Sequence, residues 1–188
     1  KAPVALTDTA CYYRSARMLS KMSRVLGLDD PYLARSEEIR AALLRNFVDA
    51  DTGEVAGACQ TSDGCVAFHH LLKPQEEARL MERLAERIAQ NGWHIDYGIL
   101  GSKYVLNMLG EYGRTDVIYK MLTREDYPGY LYWVDHGCTT LAECWNLGGS
   151  HNHYMFSDVS AVFYRYFAGI RPDGDIPAYR SFLLAPAL

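Results

Sequence analysis

Apolar residues recur along this chain with the period of a helix. Tyr12, Ala16, Leu19, Met22 and Leu26 follow one another at spacings of four, three, three and four, which predicts a first helix with that stripe facing inward and a stop at Gly27. Asp30-Pro31 supplies a cap and a first-turn proline for a second helix whose inner stripe is Ile39, Leu43 and Phe47. A third helix is expected over Ser62 to Leu72. Pro74 opens a fourth, with Glu76 and Glu77 at the positive end of its dipole, Leu80, Leu84 and Ile88 inward, and Asn91-Gly92 as its end. A fifth runs from about Gly98 to Tyr112. A sixth starts at Thr115 or Asp116 and carries Ile118, Met121 and Leu122. A seventh spans about Asn152 to Ala168 and ends at Gly169. The one strand signal is in the last dozen residues, at Tyr179 to Leu184.

Charge divides these helices into two kinds. The second carries Arg35, Glu37, Glu38, Arg40 and Arg45, and the fourth Arg79, Glu82, Arg83, Glu86 and Arg87, whereas the third has Asp63 alone and the core of the fifth Lys103 alone. A helix apolar nearly all round must be enclosed by others, and one with a charged face lies outside. Alternating enclosed and exposed helices describe an all-α, two-layered ring, an α/α toroid. The links agree. Those from inner to outer helix are short (Gly27-Leu28, around Lys73, Gly113-Arg114), and those from outer to inner are long (Asp49–Thr61, Asn91–Tyr97, Glu125–His151). In an antiparallel ring all the long links emerge at one end, where a rigid scaffold usually carries its site. Unequal spacing between successive helix pairs argues against a fixed-period solenoid.

With 188 residues, 49% apolar and 22% charged, the chain fits one domain or a large piece of one. A net charge of −4 argues against binding nucleic acid through bulk charge, and no apolar run approaches a membrane span. The start, Lys1-Ala2-Pro3-Val4, has neither an initiator Met nor a signal-peptide pattern, so the chain reads as a piece of something longer and its compartment stays open. Five cysteines, an odd number, argue against a disulfide scaffold.

The long links hold the chemistry. Trp93, Trp133 and Trp145 all lie in them, with Tyr97, Tyr127, Tyr130 and Tyr132. Aromatic faces suit sugar rings, but long loops also need aromatic anchors simply to pack. Glu143 is the one acidic residue between Gly137 and Ser150. A lone carboxylate among apolar neighbours needs a hydrogen-bond partner or a function, so Glu143 is either a catalytic or ligand-binding group or a loop tie. Asp96 and Asp135 are site carboxylates or loop caps. His69-His70, on an apolar helix, read as core histidines. Cys138, Cys144, His151 and His153 match no strong zinc spacing, and no metal or cofactor is expected.

Several runs, taken in order, resemble a known family. Ile95-Asp96-Tyr97-Gly98-Ile99-Leu100-Gly101-Ser102-Lys103-Tyr104, then Tyr127-Pro128-Gly129-Tyr130, then Gly137-Cys138-Thr139-Thr140-Leu141-Ala142-Glu143, then Ser150-His151-Asn152-His153-Tyr154-Met155-Phe156, and finally Ala168-Gly169-Ile170 are similar to segments of the bacterial α-L-rhamnosidases of glycoside hydrolase family 78. Gln60-Thr61 also resembles a pair that precedes one of that family's inner helices. The resemblance implies an (α/α)6 barrel, of which about seven helices are present in 1–170, with 171–188 a linker or the start of a C-terminal β-domain. It implies an inverting hydrolysis of terminal α-L-rhamnose in which Glu143 is the general base and His153 contacts the sugar. Trp145, Trp133, Tyr130, Asp96 and Gln60 complete the expected substrate-binding set. The implied partners are a rhamnoside and the rest of the same polypeptide, since the family's acid-bearing Asp-Cys-Pro motif has no counterpart here. Three departures bear on which sugar is bound: Ala142 and Tyr130 stand where the family has Trp, and Ser157 where it has Gly. Two other classes fit the same residues. One is a different toroid enzyme, acting on uronic or other deoxy sugars or holding zinc through Cys138, Cys144 and His153. The other is a non-catalytic sugar-binding or interaction module.

Overall fold

The computed structural model describes residues 1–174, 176 and 178–187. Its helices are α1 (Val4–Leu26), α2 (Tyr32–Phe47), α3 (Gln60–Phe68), α4 (Pro74–Gln90), α5 (Ile99–Glu111), α6 (Thr115–Leu122), α7 (Tyr130–Asp135) and α8 (Asp158–Val162). A 3-10 turn (Tyr154–Phe156) precedes α8 and a π turn (Phe163–Phe167) continues it. The chain then forms an antiparallel pair, β1 (Ile170–Pro172) and β2 (Phe182–Leu184), with Ile170 opposite Leu184.

α1 packs on α2, α3 on both α4 and α5, and α5 on α6 and α8, which gives three helical hairpins and the inner helix of a fourth. The sequence explains the layers. In α3 every residue from Ser62 to Ala67 is buried, and in α5 every residue from Tyr104 to Gly110, because neither helix has a charged face to offer water. α4 buries only Glu77 and the apolar stripe Leu80, Met81, Leu84, Ala85 and Ile88, and α6 buries Val117, Ile118, Met121 and Leu122. The expected start of α2 holds in substance. The Asp30 carboxylate accepts the Leu33 amide (3.2 Å) at the helix start and the Ser20 hydroxyl (2.6 Å) from α1, tying the first hairpin together.

Besides α3, which ends at Phe68 instead of Leu72 and leaves His70 exposed and paired with Glu77 instead of in the core, four expectations need correction. The inward stripe of α1 is Leu6, Ala10, Tyr13, Ala16, Ser20 and Ser23, while Tyr12, Leu19, Met22 and Leu26 are exposed. That face, mostly small residues with Leu6 and Tyr13 among them, packs on α2, and Tyr12, Leu19, Met22 and Leu26 are left at the surface. Second, the link expected over Glu125–His151 contains α7. Third, the seventh expected helix is broken into a 3-10 turn, α8 and a π turn. Fourth, β1 carried no sequence signal, because a three-residue strand is too short for an alternation to register. Within the terminal stretch expected to open a β-domain, Asp175, Pro177 and Leu188 lie outside the described residues.

One close approach fixes where the π turn meets α5. A Cβ built on Gly110 would overlap the Tyr166 ring. Gly110→Ala should therefore lower the free energy of unfolding by about 1–3 kcal/mol by overpacking, even though alanine favours helix. Urea unfolding would measure this, and an unchanged or raised midpoint would show that Tyr166 is not packed there.

Candidate active site

The three long links lie together at the end of the ring marked by the start of α3 and α5. The link 91–98 is fastened to α3 from both sides. Gln60, fully buried, donates through Nε2 to the His94 carbonyl (2.8 Å) and accepts the Asp96 amide at Oε1 (3.3 Å). The Asp96 carboxylate in turn accepts the Gln60 amide (3.2 Å), capping the first turn of α3. Partial desolvation of its carboxyl raises the Asp96 pKa, and that amide and then Arg87 pull against it. The other end of the link is pinned by Asp126, which accepts from Arg124 (2.7 Å) and pairs with His94 (2.8 Å). Arg124 and then His94 hold the Asp126 carboxyl far below the usual carboxylate range.

Next to this link stands a packed aromatic block. Trp145 donates its indole N–H to the Tyr97 carbonyl (2.7 Å), and Trp133 donates its own to the Trp145 carbonyl (3.1 Å). The two indoles stack with centroids 4.4 Å apart and planes 24° apart, and Tyr130 meets Trp145 edge-on at 5.1 Å. Phe156 closes the block beneath Trp145 at 4.5 Å. Trp133 is only 2% exposed, whereas Trp145 and Tyr130 keep part of their surface. Indole N–H groups bonded to loop carbonyls make the block an anchor for the link 123–153 as well as a surface.

Glu143 and His153 are brought side by side by a short ladder within that link. The Glu143 amide donates to the Ser150 carbonyl (2.8 Å), and the His153 amide donates to the Leu141 carbonyl (2.9 Å). The Thr140 hydroxyl donates to the His151 carbonyl. One carboxylate oxygen of Glu143, Oε2, accepts the Ser150 amide (2.9 Å) and lies 3.9 Å from His153 Nδ1. The Glu143 side chain remains 40% exposed, and no arginine is paired with it among the described residues. Gly149 makes the arrangement possible: its φ is +76°, and a Cβ there would stand 2.5 Å from that same oxygen. The sequence did not say that the turn at Gly148-Gly149 would hold the carboxylate.

A further carboxylate went unrecognised in the sequence. Asp63, 1% exposed in α3, faces Arg87 Nε of α4 at 3.2 Å, between the two layers. Burial pushes its pKa up to about 6 against the pull of Arg87. Several cavities lie away from Glu143. One of about 640 Å3 is lined by Leu44, Val48, Asp49, Thr52, Arg79 and Arg83. Cys138, Cys144 and His153 are not gathered into a metal-binding set. Among the described residues no three His, Cys, Asp or Glu side chains are, and all five cysteines are free thiols.

Residues 1–167 match the family model of the bacterial α-L-rhamnosidase 6 hairpin glycosidase domain. The chain belongs to this family. Relatives of the rhamnosidase family include the α-L-rhamnosidase of Alteromonas sp. (strain LOR), 27% identical over 98% of this chain, and that of Streptomyces avermitilis, 30% identical over 99%. Among solved structures, the S. avermitilis α-L-rhamnosidase complexed with L-rhamnose superposes on 99% of the chain with a TM-score of 0.90 at 29% identity, covering 19% of that rhamnosidase. The α-L-rhamnosidase of Dictyoglumus thermophilum matches 85% of the chain and 19% of its own, with a TM-score of 0.76 at 30% identity. The chain thus spans about a fifth of the length of the curated rhamnosidases it matches.

Two outcomes test this geometry. Gly149→Ala should free the Ser150 amide from Glu143 and cost about 1 kcal/mol or more through its positive φ, seen as faster hydrogen exchange at Ser150 with the fold retained. Asp63 should make stability fall as pH rises. The folded state holds its proton up to about 6 and the unfolded state only to the ordinary carboxylate value near 3.8. Ionisation between those values therefore costs roughly 2–3 kcal/mol, a loss absent below the lower value and complete above the upper one. In Asp63→Asn, unfolding measured from pH 4 to 8 should lose that component of the slope.

Proposed function

We propose that the chain forms the water-activating side of an inverting α-L-rhamnosidase site, with Glu143 as the general base. In such a hydrolysis one carboxylic acid protonates the leaving oxygen while a carboxylate on the opposite face of the ring takes a proton from water, the two standing about 6.5–9.5 Å apart. The observation that supports this reading is the convergence on Glu143 Oε2. A backbone amide and the His153 ring both address that oxygen, so the carboxylate is oriented but still open to solvent on its other side. An arginine would suppress its basicity, and none is paired with it among the described residues.

His153, beside the carboxylate, holds a hydroxyl of the sugar. Trp145 and Tyr130 present their remaining exposed surface to its C–H face, and Trp133 backs them from the interior. Asp96, exposed at the same end, turns its outward lone pairs toward the sugar rim, and Gln60 acts by keeping Asp96 in place. Fully buried Ala142 leaves no indole immediately before the base, so the aromatic wall beside it comes from Trp145 and Tyr130 instead. The proton donor for the leaving group comes from polypeptide outside these 188 residues.

The experiment is hydrolysis of an aryl α-L-rhamnoside by a polypeptide that joins this chain to the donor segment. Glu143→Gln should lower kcat by about 10²–10⁴ with the fold intact. The 188 residues alone should turn over the substrate negligibly. Unimpaired activity of Glu143→Gln would refute the assignment of the base, and robust activity of the 188 residues would refute the external donor.

A further inference from the structure

Away from Glu143, polar groups converge at the opposite end of the ring. α3 begins at Gln60 beside the link 91–98 and ends at Phe68, roughly 13 Å along its axis, so the next residue, His69, belongs to the far end. There a cavity of about 440 Å3 is lined by Arg14 and Arg17 from α1, His69, Asn107 and Glu111 from α5, and Arg165 from the π turn.

Three observations make this more than a charged surface. Asn107 is 2% exposed. Its Nδ2 donates to the Lys103 carbonyl (2.8 Å) and its Oδ1 accepts from Arg165 (3.2 Å), so a buried amide aims one guanidinium. Arg165 sits on a π turn, a local widening that recurs at functional sites, and Arg14 is held over the Phe68 ring at 4.9 Å with no carboxylate partner among the described residues. His69 is 6% exposed, with the Phe68 and Tyr104 rings each 5.4 Å away, and neither of its ring nitrogens has a hydrogen-bond partner among the described residues. A buried imidazole left unpaired is costly, and an acceptor brought against it removes the cost.

The balance of charge selects the ligand. Three guanidiniums face the cavity against one carboxylate, Glu111, which accepts from the Tyr166 hydroxyl (3.4 Å). Arg17 is shared with Glu37 (3.7 Å), and the neighbouring His70 is paired with Glu77 (3.1 Å). We propose that this cavity binds an oxyanion, a phosphate or carboxylate group on a small ligand, with Arg14 and Arg165 as charged donors and His69 as a neutral N–H donor. Burial, and then the positive charge of Arg14, keep His69 neutral at pH 7 by pushing its pKa down to about 4. A planar guanidinium matches two oxygens of such a group at once. The proposal does not depend on the role of Glu143.

Side-chain nitrogen spectra of His69, recorded at pH 7 during titration of the protein with inorganic phosphate and separately with D-glucuronate, test it. D-glucose serves as the uncharged control. Either anion should move the His69 nitrogens to saturation while glucose leaves them in place. Arg14→Gln and Arg165→Gln, both at exposed positions, should weaken binding about tenfold or more, and added salt should weaken it further. Saturation by phosphate alone identifies a phosphoryl ligand, by glucuronate alone a carboxylate one, and by both the shared chemistry. Absence of saturation with either anion, or binding undiminished in both arginine variants, would overturn the proposal.

Discussion

Two helices that carry almost no charge cannot face water, and the molecule is arranged to hide them. α3 and α5 lie against each other and are roofed by α4, α6 and α8, whose own apolar stripes point inward. Once those two are enclosed, the direction of every other element follows. The short turns fall at one end, the long links at the other, and the start of α3 becomes a fixed point to which the links can be tied. The ties are polar and specific: Gln60 and Asp96 exchange hydrogen bonds across the first turn of α3, and Trp145 reaches the Tyr97 carbonyl.

The candidate site is therefore built outward from a rigid floor. Above α3 and α5 stands the aromatic block, and against the block lies the ladder that sets Glu143 beside His153. Each layer is held by a different kind of contact, first apolar burial, then indole stacking with N–H bonds, then backbone pairing. Exposure rises in the same order, from buried helices through half-covered Trp145 to a carboxylate in contact with solvent. A family whose solved members include a rhamnosidase holding L-rhamnose gives this arrangement its chemical context.

Much of the scaffold could be read from spacing and charge alone. Leu80, Leu84 and Ile88 in α4, and Ile118, Met121 and Leu122 in α6, are buried as their periodicity requires. The reading failed where one period admits two faces. In α1 the bulkier residues Tyr12, Leu19 and Met22 pointed to one stripe, but close packing on α2 selected the stripe of Ala10, Ala16, Ser20 and Ser23, and a hydropathy pattern does not weigh size against proximity. It failed again at α7 and β1, elements too short to show a period. In the site, isolation among apolar neighbours marked Glu143 as a functional group or a loop tie, and only the family resemblance chose between them. The hydrogen-bond partner of that carboxylate was not legible, because a backbone amide has no signature in residue type. Asp63 was overlooked for a related reason: its burial depends on α4 lying across it, a tertiary fact.

The ladder that joins Leu141 and Glu143 to Ser150 and His153 has a consequence for how this surface can diversify. Its rungs are main-chain bonds, indifferent to the side chains between them, and the tip from Cys144 to Gly148 is anchored to the aromatic block through Trp145 and Leu147. The exposed residues Cys144 and Asn146 can be exchanged in that tip while the carboxylate and imidazole keep their mutual registration. The scaffold thus separates the pair held by main-chain bonds from the exposed side chains of the tip, and lets those side chains vary without reopening the problem of folding.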